Sequence, residues 1–433
     1  YYLLEKIPMS EFTLLDHKHN LKYNLIHEFA WGFGIAFHTL YAIVPLFLRE
    51  LGAPESIAVS TAGLFSILIA LPSLFIAALG RNIQNIKRAV ILFHGIILIV
   101  SFLMGFTFTV LDPIYVQSAW KLYLFYFVLY AFSIGIIVPI WAEFLNQSTL
   151  KSERGKFFGL GFAFNGVGSF VGGFALQYLL TLDLPFPRNF GIGFIILFIS
   201  LLIGTILFIP FKIKPKKTVQ THKTIKSFIK ETKSIIIGHK NFQKYILSRI
   251  FFAANLPGMG LYAVYCQNKF HFDLSEAGLF TILNVLAAGA SSYLSGKLGD
   301  KYGHKMSMLF AYIGHFIAVI LAIFSQNMIW VYGVFLAIGV GQGAFMPSAM
   351  NLVYNFAEDR DTKTYMALID SFLAPFVLIF IIGVGSLIRI GDFTTSLYII
   401  ATSLFISILV LQFLVRDPNS TSEPQFHLDG FSS

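Results

Sequence analysis

The chain has 433 residues, of which 56% are hydrophobic and only 12% are charged, and its mean hydropathy is +0.73. A soluble protein of this length needs a far more polar surface, so the composition excludes a soluble globular fold and indicates that lipid is the solvent. The formal net charge of +9 does not indicate nucleic-acid binding, because the basic residues are distributed as a membrane topology requires.

Apolar stretches long enough to cross a bilayer recur along the whole chain between short polar breaks. A spanning helix needs about 20 mostly apolar residues, and backbone polar groups in hydrocarbon must be paired within the segment, which favours helices over strands. We therefore predict an all-α integral membrane protein with twelve transmembrane helices in two six-helix bundles. The predicted spans are 22–49, 56–79, 89–111, 119–146, 156–181, 189–210, 245–268, 273–296, 305–325, 328–354, 363–388 and 393–415.

The segments outside the spans complete the predicted organisation. The lysine-rich linker contains an amphipathic stretch from Ile225 to Ile236, typical of a helix on an anionic membrane surface; a solvated tether explains it equally well. The first apolar stretch is long and follows a charged leader, which predicts a span rather than a cleavable signal peptide. The predicted parts are a cytoplasmic tail 1–21, a first bundle 22–210, a basic cytoplasmic linker 211–244, a second bundle 245–415 and a cytoplasmic tail 416–433.

Lysine and arginine are divided unequally between the two sets of connecting segments. Positive residues mark the cytoplasmic side of a membrane protein, so we predict a multi-pass protein of the inner or plasma membrane with both termini in the cytoplasm. The single cysteine, Cys266, has no partner for a disulfide or a metal site, and neither a metal nor a cofactor is predicted. The predicted outer loops hold only Arg49, Lys121, Arg188, Lys269 and Arg389.

The second half of the chain repeats the first. Leu40 to Val44 recurs as Leu261 to Tyr265, 221 residues later, and Ala62 to Leu68 recurs as Ala277 to Leu283. A glycine four residues before a proline also recurs, as Gly135 with Pro139 and as Gly343 with Pro347. Six predicted spans separate the repeats, so they have the same orientation. Parallel repeats are typical of transporters whose substrate site lies between the halves near mid-membrane.

A motif lies between the predicted eighth and ninth spans and reads Gly-Lys-Leu-Gly-Asp-Lys-Tyr-Gly-His-Lys from Gly296 to Lys305. It resembles the signature loop of the major facilitator superfamily, G-x-L-x-D-x-x-G-x-K/R. In such a loop the glycines let two helix ends approach closely, and the carboxylate can accept hydrogen bonds at a helix N-terminus. The resemblance covers about 22–415 and implies a transporter fold; the signature residues are Gly296, Gly299, Asp300, Lys301, Gly303 and Lys305.

Two segments depart from the family patterns. The first-half loop, from Gly80 to Arg88, keeps the first glycine and the basic end but lacks the aspartate. In the family that this chain resembles, the loop helps to hold the outward-facing state, and here it would do so without its carboxylate. In the fifth span, Gly168 to Gly173 is similar to the G-P-x-x-G-G motif of proton-driven drug exporters but lacks the proline. A small-residue packing seam explains it as well, which leaves the direction of transport open.

Four ionisable residues lie within predicted spans. Placing an ionisable side chain in hydrocarbon costs free energy, so such residues are functional candidates. They are Glu28, Glu143, Arg249 and Asp370. The 221-residue offset pairs Glu28 with Arg249, so we hypothesise that they meet across the inner mouth in the outward-facing state and separate when the transporter opens inward. The alternative is that each pairs within its own half, Arg249 with Asp370. Glu143 shares a helix face with Pro139 and is a candidate proton carrier or a structural partner of nearby basic residues.

The resemblance implies that spans 1, 4, 5, 7 and 10 line the cavity. Glu28, Trp31, Ile35 and His38 fall on one stripe of span 1, where His38 either takes part in coupling or packs through a hydrogen bond. His94 and His315 are expected to face lipid or the bundle exterior. The polar and aromatic candidates for substrate binding are Trp31, His38, Asn165, Asn255, Tyr262 and Gln342.

These features together predict a secondary active transporter that moves a small organic solute by alternating access, driven by a proton gradient. An uncoupled facilitator of the same fold is the alternative. A membrane receptor or enzyme is disfavoured because the sequence has no Walker motif, no HExxH and no Gly-x-Ser-x-Gly turn. The predicted partners are the solute, protons and membrane lipid, without nucleic acid, and the protein is predicted to act as a monomer.

Overall fold

The computed structural model describes residues 12–79, 83, 85–150, 153–214, 233, 235, 237–357 and 362–417, without the side chains of some helical residues, including those of Asp300 and Asp370. Every regular element in these ranges is helical. Eleven helical segments there have the length and apolarity of a membrane span, and the twelfth, span 7, is divided into two shorter helices. The prediction of twelve spans in an all-α fold is therefore confirmed.

The helices match the predicted spans to within a few residues at most boundaries. Span 1 consists of Leu14–Ile35, a 3₁₀ turn at Ala36–His38 and Ile43–Glu50, and span 7 consists of Lys240–Phe252 and Asn255–Phe270. The other spans, in order from 2 to 6 and from 8 to 12, are Glu55–Leu79, Ile86–Val110, Trp120–Gln147, Arg154–Thr181, Arg188–Ile206, Glu276–Tyr302, His304–Ile323, Met328–Ala357, Thr362–Arg389 and Phe393–Leu409.

Two helices extend further than the hydropathy predicted. The first begins at Leu14 rather than at 22, because Thr13 and Asp16 form a capping box that satisfies the free N–H groups of its first turn. Span 8 continues to Tyr302, so most of the signature motif forms the last turns of a helix and not a loop. The chain leaves the helix at Gly303 alone, whose φ of 90° favours glycine.

Spans 1 and 7 are both broken, and each break lies four residues before a proline. A proline ring clashes with the carbonyl of the residue four positions earlier and donates no hydrogen bond to it. Pro45 therefore interrupts span 1 at Tyr41, within the non-helical residues 39–42, and Pro257 interrupts span 7 at Ala253. The 221-residue offset places Cys266 opposite Pro45, so the repeated segment after Leu261 stays helical where its counterpart unwinds.

The glycines of the repeat make the same contact in both halves. A Cβ on Gly135 of span 4 would lie 2.4 Å from the carbonyl oxygen of Ile69 in span 2, and a Cβ on Gly343 of span 10 would lie 2.0 Å from that of Ala288 in span 8. Only glycine permits backbones to approach this closely. The repeat seen in the sequence thus corresponds to a repeated packing of equivalent spans.

A pair of asparagine clamps holds the segments that follow spans 6 and 12. Asn20 donates to the carbonyl of Lys212 at 2.7 Å and accepts from its backbone N–H at 2.8 Å. Asn241, 221 residues later, bonds the carbonyl and N–H of Arg416 at 2.9 Å each. Each clamp fixes both backbone polar groups of a basic residue, and each lies on the first span of its half.

The clamps are accompanied by a repeated lysine contact. Lys87, at the start of span 3, donates to the carbonyl of Phe211 at 3.0 Å, and Lys305, at the start of span 9, donates to that of Gln412 at 2.7 Å. The basic end of the signature motif therefore binds a carbonyl at the end of its half's last span. The linker follows Lys212; most of it, including the predicted amphipathic stretch, lies outside the described residues and stays a prediction.

We predict that Asn20→Ala destabilises the protein more than Asn241→Ala. Asn20 is fully buried and also donates to the carbonyl of Ser148 at 2.8 Å, so its loss leaves buried polar groups without partners, at a cost of about 2 kcal/mol. The hydrogen bonds of Asn241 are exposed, and water replaces them. Thermal unfolding midpoints of the two purified variants measure the difference. An Asn20→Ala midpoint equal to that of the unaltered protein would contradict the structural role of the clamp.

Candidate transport cleft

The two halves enclose a cleft that is closed at one end. We call the end that carries the start of the first helix, residues 211–214 and residues 415–417 the terminal side, and the opposite end the distal side. At the distal side Arg49 donates to Gln267 at 2.7 Å and Asn268 donates to Glu55 at 2.8 Å. These hydrogen bonds join the end of span 1 and the start of span 2 to the end of span 7, and so seal the distal mouth.

Spans 5 and 8 show where the cleft opens. At the distal side they touch, since a Cβ on Gly173 would lie 2.9 Å from the Ile282 side chain. Residues seven apart share a helix face, and further toward the terminal side the same faces carry Gly166 on span 5 and Gly289 on span 8. A Cβ at either position would meet nothing within 4 Å. The two helices therefore diverge from a distal contact toward an open terminal mouth.

Glu28 lies in this region on span 1 and is 5% exposed. Its carboxylate accepts a hydrogen bond from the Asn165 amide of span 5 at 3.1 Å, and it forms no ion pair within the described part of the chain. Asn24, one helical turn earlier, is 1% exposed, and its Oδ1 has no hydrogen-bond partner among the described residues. A buried carboxyl that accepts from one amide thus lies one helical turn after a buried amide oxygen that has no described partner.

Glycines bring spans 1 and 5 close enough to bury this carboxyl. A Cβ on Gly168 would lie 2.1 Å from the carbonyl oxygen of Phe29, and a Cβ on Gly172 would lie 2.4 Å from that of Phe33. Ser169 adds a hydrogen bond to the carbonyl of Gly32 at 3.0 Å. The segment similar to the exporter motif therefore forms a small-residue packing seam, which is one of its two predicted interpretations.

Arg249, the predicted partner of Glu28, has contacts within its own half. Its guanidinium lies over the Phe345 ring of span 10, 4.6 Å from the centroid, and donates to the Tyr245 hydroxyl at 3.3 Å. The side chain of Asp370, its alternative partner, lies outside the described residues. With the terminal mouth open, Glu28 and Arg249 each have contacts in their own halves. The gate hypothesis, which requires separation in this state, remains a prediction.

Glu143 has a local partner on span 4. Its carboxylate accepts a hydrogen bond from Gln147, one turn further along the same helix, at 2.7 Å. The residue is half-buried, unlike Glu28, and its proposed basic partners near 151–154 have no described side chains. The geometry is that of a carboxylate near a helix end, which favours the structural interpretation over proton carriage.

Two of the predicted substrate residues each pack inside their own half of the protein. His38 is 4% exposed and bonds the Tyr123 hydroxyl at 3.0 Å, among aromatic rings of spans 4 and 6. Tyr262 is 1% exposed and is directed toward Gly258 and Ile400 of its own half. In this conformation the structure buries His38 and Tyr262 against helices of their own halves rather than exposing them in the cleft, and their role in substrate binding stays a prediction.

Trp31 also faces the interior of the first half. Its ring meets the edge of the His94 ring of span 3 at 5.5 Å and lies 5.8 Å from the ring of His27. It therefore does not share an environment with Glu28, although the two fall on one predicted stripe. Asn165, by contrast, is the predicted substrate residue that the structure brings to the Glu28 carboxylate.

Two candidates remain near the break in span 7. Gln342 of span 10 is half-buried and donates to the Met259 sulfur at 3.1 Å, which ties span 10 to span 7. Asn255 is 7% exposed and begins the second helix of span 7. Both lie in the second half, separate from the Glu28 cluster, so the structure does not gather the six predicted residues into one pocket.

The expectation that His94 and His315 face lipid is wrong. Their side chains are 1% and 2% exposed, because each packs against the neighbouring spans of its own half: His94 against Trp31 and Phe208, and His315 against Gly341. Sequence reasoning also missed Asn24, although its position one turn before an intramembrane carboxylate was a usable signal. The described residues contain no group of three metal ligands.

The fold and cleft define the chain as a multi-pass membrane transporter of small solutes. The model of the Major Facilitator Superfamily matches residues 29–265 and 245–430. Because these matches cover most of the chain, the protein belongs to that family, as the signature motif predicted. No curated protein sequence matches the chain significantly.

Solved structures share the fold over nearly the full length. A POT family transporter in complex with 5-aminolevulinic acid has a TM-score of 0.68 and 15% identity over 93% of this chain and 96% of its own. A D-xylose-proton symporter has a TM-score of 0.69 and 14% identity over 93% and 99%. The nucleoside transporter NupG has a TM-score of 0.64 and 11% identity over 92% and 100%. At these identities the likeness establishes the fold alone.

We predict that a cysteine at Gly289 is labelled by a membrane-impermeant maleimide, whereas a cysteine at Ile282 is not. The two positions share one face of span 8, but Gly289 faces open space and Ile282 is 4% exposed in the distal contact. The native Cys266 is fully buried, so the unaltered protein provides an unreactive background. Labelling followed by mass shift measures the difference, and equal protection of both cysteines would show that the cleft is closed at this depth.

Proposed function

We propose that the protein is a secondary active transporter that couples solute movement to proton movement through Glu28. The observation that carries the proposal is the burial of this carboxyl within span 1, beside the seam with span 5 and without an ion-pair partner among the described residues. Ionisable groups at membrane depth are costly and mark proton relays and substrate paths. A carboxyl kept there by two glycine-packed helices has no evident structural purpose.

The surroundings of Glu28 suit both of its protonation states. The Asn165 amide donates to the ionised carboxylate, whereas the hydroxyl of a protonated Glu28 has the Oδ1 of Asn24 as an acceptor one turn away. A coupling group must exchange a proton during the cycle, so an environment with a partner for each state fits that role. Glu143 differs in its position, because it is half-buried near the end of span 4, where Gln147 of the same helix donates to its carboxylate at 2.7 Å.

The open mouth lies on the side that the lysine and arginine distribution assigns to the cytoplasm. With that orientation both termini are cytoplasmic and the structure is inward-facing. In the cycle that we propose, closure of the terminal mouth brings spans 5 and 8 together along their glycine faces, and the distal hydrogen bonds of Arg49 and Asn268 break. Solute and proton then exchange with the opposite side.

The charges near the cleft and the solutes of proteins with the same fold suggest which solutes to test. Glu28 on the first half and Arg249 on the second carry opposite charges, which favours a small polar organic molecule over a highly charged one. Two of the related structures are complexes with 5-aminolevulinic acid and a thioalcohol-conjugated peptide, and a third is a symporter of D-xylose. These three solutes form a panel for thermal stabilisation measurements, because a bound ligand raises the unfolding midpoint.

We predict that Glu28→Gln abolishes proton-driven accumulation but retains solute exchange in proteoliposomes. The amide keeps the size and hydrogen bonding of the side chain but cannot release a proton, so alternating access continues without coupling. Uptake of a solute identified by the panel is measured with and without an inward proton gradient. The matched control is Glu143→Gln, which removes a carboxylate bound to its own helix and is expected to leave accumulation unchanged.

Three results would contradict the proposal. If collapse of the proton gradient does not affect accumulation by the unaltered protein, the protein is an uncoupled facilitator. If Glu143→Gln abolishes coupling and Glu28→Gln does not, the proton site lies on span 4. Loss of exchange as well as accumulation in Glu28→Gln would assign Glu28 to solute binding or folding rather than to coupling.

A further inference from the structure

A second cavity lies at the terminal side, outside the cleft, where span 9 begins and span 12 ends. Its volume is about 530 Å³. It combines cationic side chains with exposed apolar ones, since Phe413 is 75% exposed and Met306 is 44% exposed. The lining includes Tyr302, Lys305, Met306, Phe413, Arg416 and Asp417.

Arg416 is held in this cavity by its backbone and not by its side chain. The Asn241 clamp binds both its carbonyl and its N–H at 2.9 Å. Its guanidinium is exposed and has no hydrogen bond or ion pair among the described residues. The clamp therefore fixes the position of a planar cation whose donors remain available for a ligand.

The first clamp holds a basic residue whose side chain is paired with a carboxylate, and the second half has no acidic residue at the corresponding position. There the clamped residue is Lys212, and its ammonium is neutralised by the carboxylate of Asp16 at 2.6 Å. The residue four positions before the second clamp, which corresponds to Asp16 in sequence, is Ile237. The same clamp thus presents a paired cation in the first half and, within the described part of the chain, a cation without a side-chain partner in the second.

The rest of the cavity adds positive charge and an apolar surface. Lys305 uses one donor on the carbonyl of Gln412, which leaves two of its three ammonium protons. Asp417 also lies in the cavity, and its carboxylate accepts from the backbone N–H of Lys305 at 3.3 Å, at the N-terminus of span 9. The two cations therefore outweigh one carboxylate that is already bonded to the helix.

We propose that this cavity binds an anionic phospholipid, with the phosphate on Arg416 and Lys305 and the acyl chains along Phe413 and Met306. Arginine is well suited to phosphate because its fork can bind two oxygens at once. The cavity lies at the first turn of span 9, and the exposed apolar side chains beside the cations fit a lipid better than a free anion. Basic pockets between spans on the cytoplasmic side are suited to such headgroups.

Lipid binding to the full-length protein in detergent tests the proposal. Native mass spectrometry gives the dissociation constants of phosphatidylglycerol and phosphatidylcholine for the unaltered protein, Arg416→Gln, Arg416→Lys and Lys212→Gln. We expect phosphatidylglycerol to bind more tightly than phosphatidylcholine, and Arg416→Gln to weaken phosphatidylglycerol binding about five-fold, the effect of one basic residue at an anionic surface. Arg416→Lys should restore part of the loss, and Lys212→Gln should cause none, because Lys212 is paired with Asp16.

Three outcomes would overturn the proposal. Binding of phosphatidylglycerol by Arg416→Gln at the strength of the unaltered protein would remove the assigned contact. An equal loss in Lys212→Gln would show a general effect of charge. Displacement of the lipid by equimolar inorganic phosphate would show that the cavity takes a free anion. The test involves neither Glu28 nor proton-driven uptake, so its result is independent of the proposed function.

Discussion

Backbone hydrogen bonding in a medium without water is the constraint on which this structure depends. Each N–H and C=O inside the hydrocarbon needs a partner within the protein, so a span can be broken only where other parts of the protein cover the break. Spans 1 and 7 are broken upstream of Pro45 and Pro257, and the non-helical residues Thr39, Tyr41 and Ala42 are buried. Thr39 supplies part of the missing bonding by accepting from the N–H of Ile43 with its hydroxyl.

Close packing between spans 1 and 5 is the second constraint on the structure, and it determines the position of Glu28, the candidate coupling group. Gly168 and Gly172 bring span 5 onto the backbone of span 1, and this seam buries Glu28 with Asn165 and Asn24. The opposite face of span 5 carries Gly166 and Gly173 toward span 8. One helix therefore has one face for permanent packing within its half and another for contact between halves, and only the second face changes partners when the cleft closes.

The ends of the spans follow the same repeat with one difference of consequence. Asn20 and Asn241 clamp equivalent segments, and the lysines of the two loop motifs bind equivalent carbonyls. The first clamp ends in an ion pair, whereas the second presents a guanidinium that has no partner among the residues the structure describes and lies beside exposed apolar side chains. In the proposal above, the second clamp binds a lipid because Ile237 stands where the first half has Asp16.

The sequence alone determined the fold class, the twelve spans, the family and the parallel repeat, because apolar length and repeated motifs depend only on the order of residues along the chain. It also located Glu28 and Asn165, whose polarity at membrane depth is visible without coordinates. It did not determine which neighbours each side chain meets. His38 and Tyr262 were predicted in the cleft because they are polar or aromatic residues near mid-membrane, and the family resemblance implied that His94 and His315 face lipid or the bundle exterior. The structure packs all four inside their own halves. Only the tertiary structure decides these environments, because whether a helix face meets lipid, the cleft or another helix depends on how the neighbouring helices are packed.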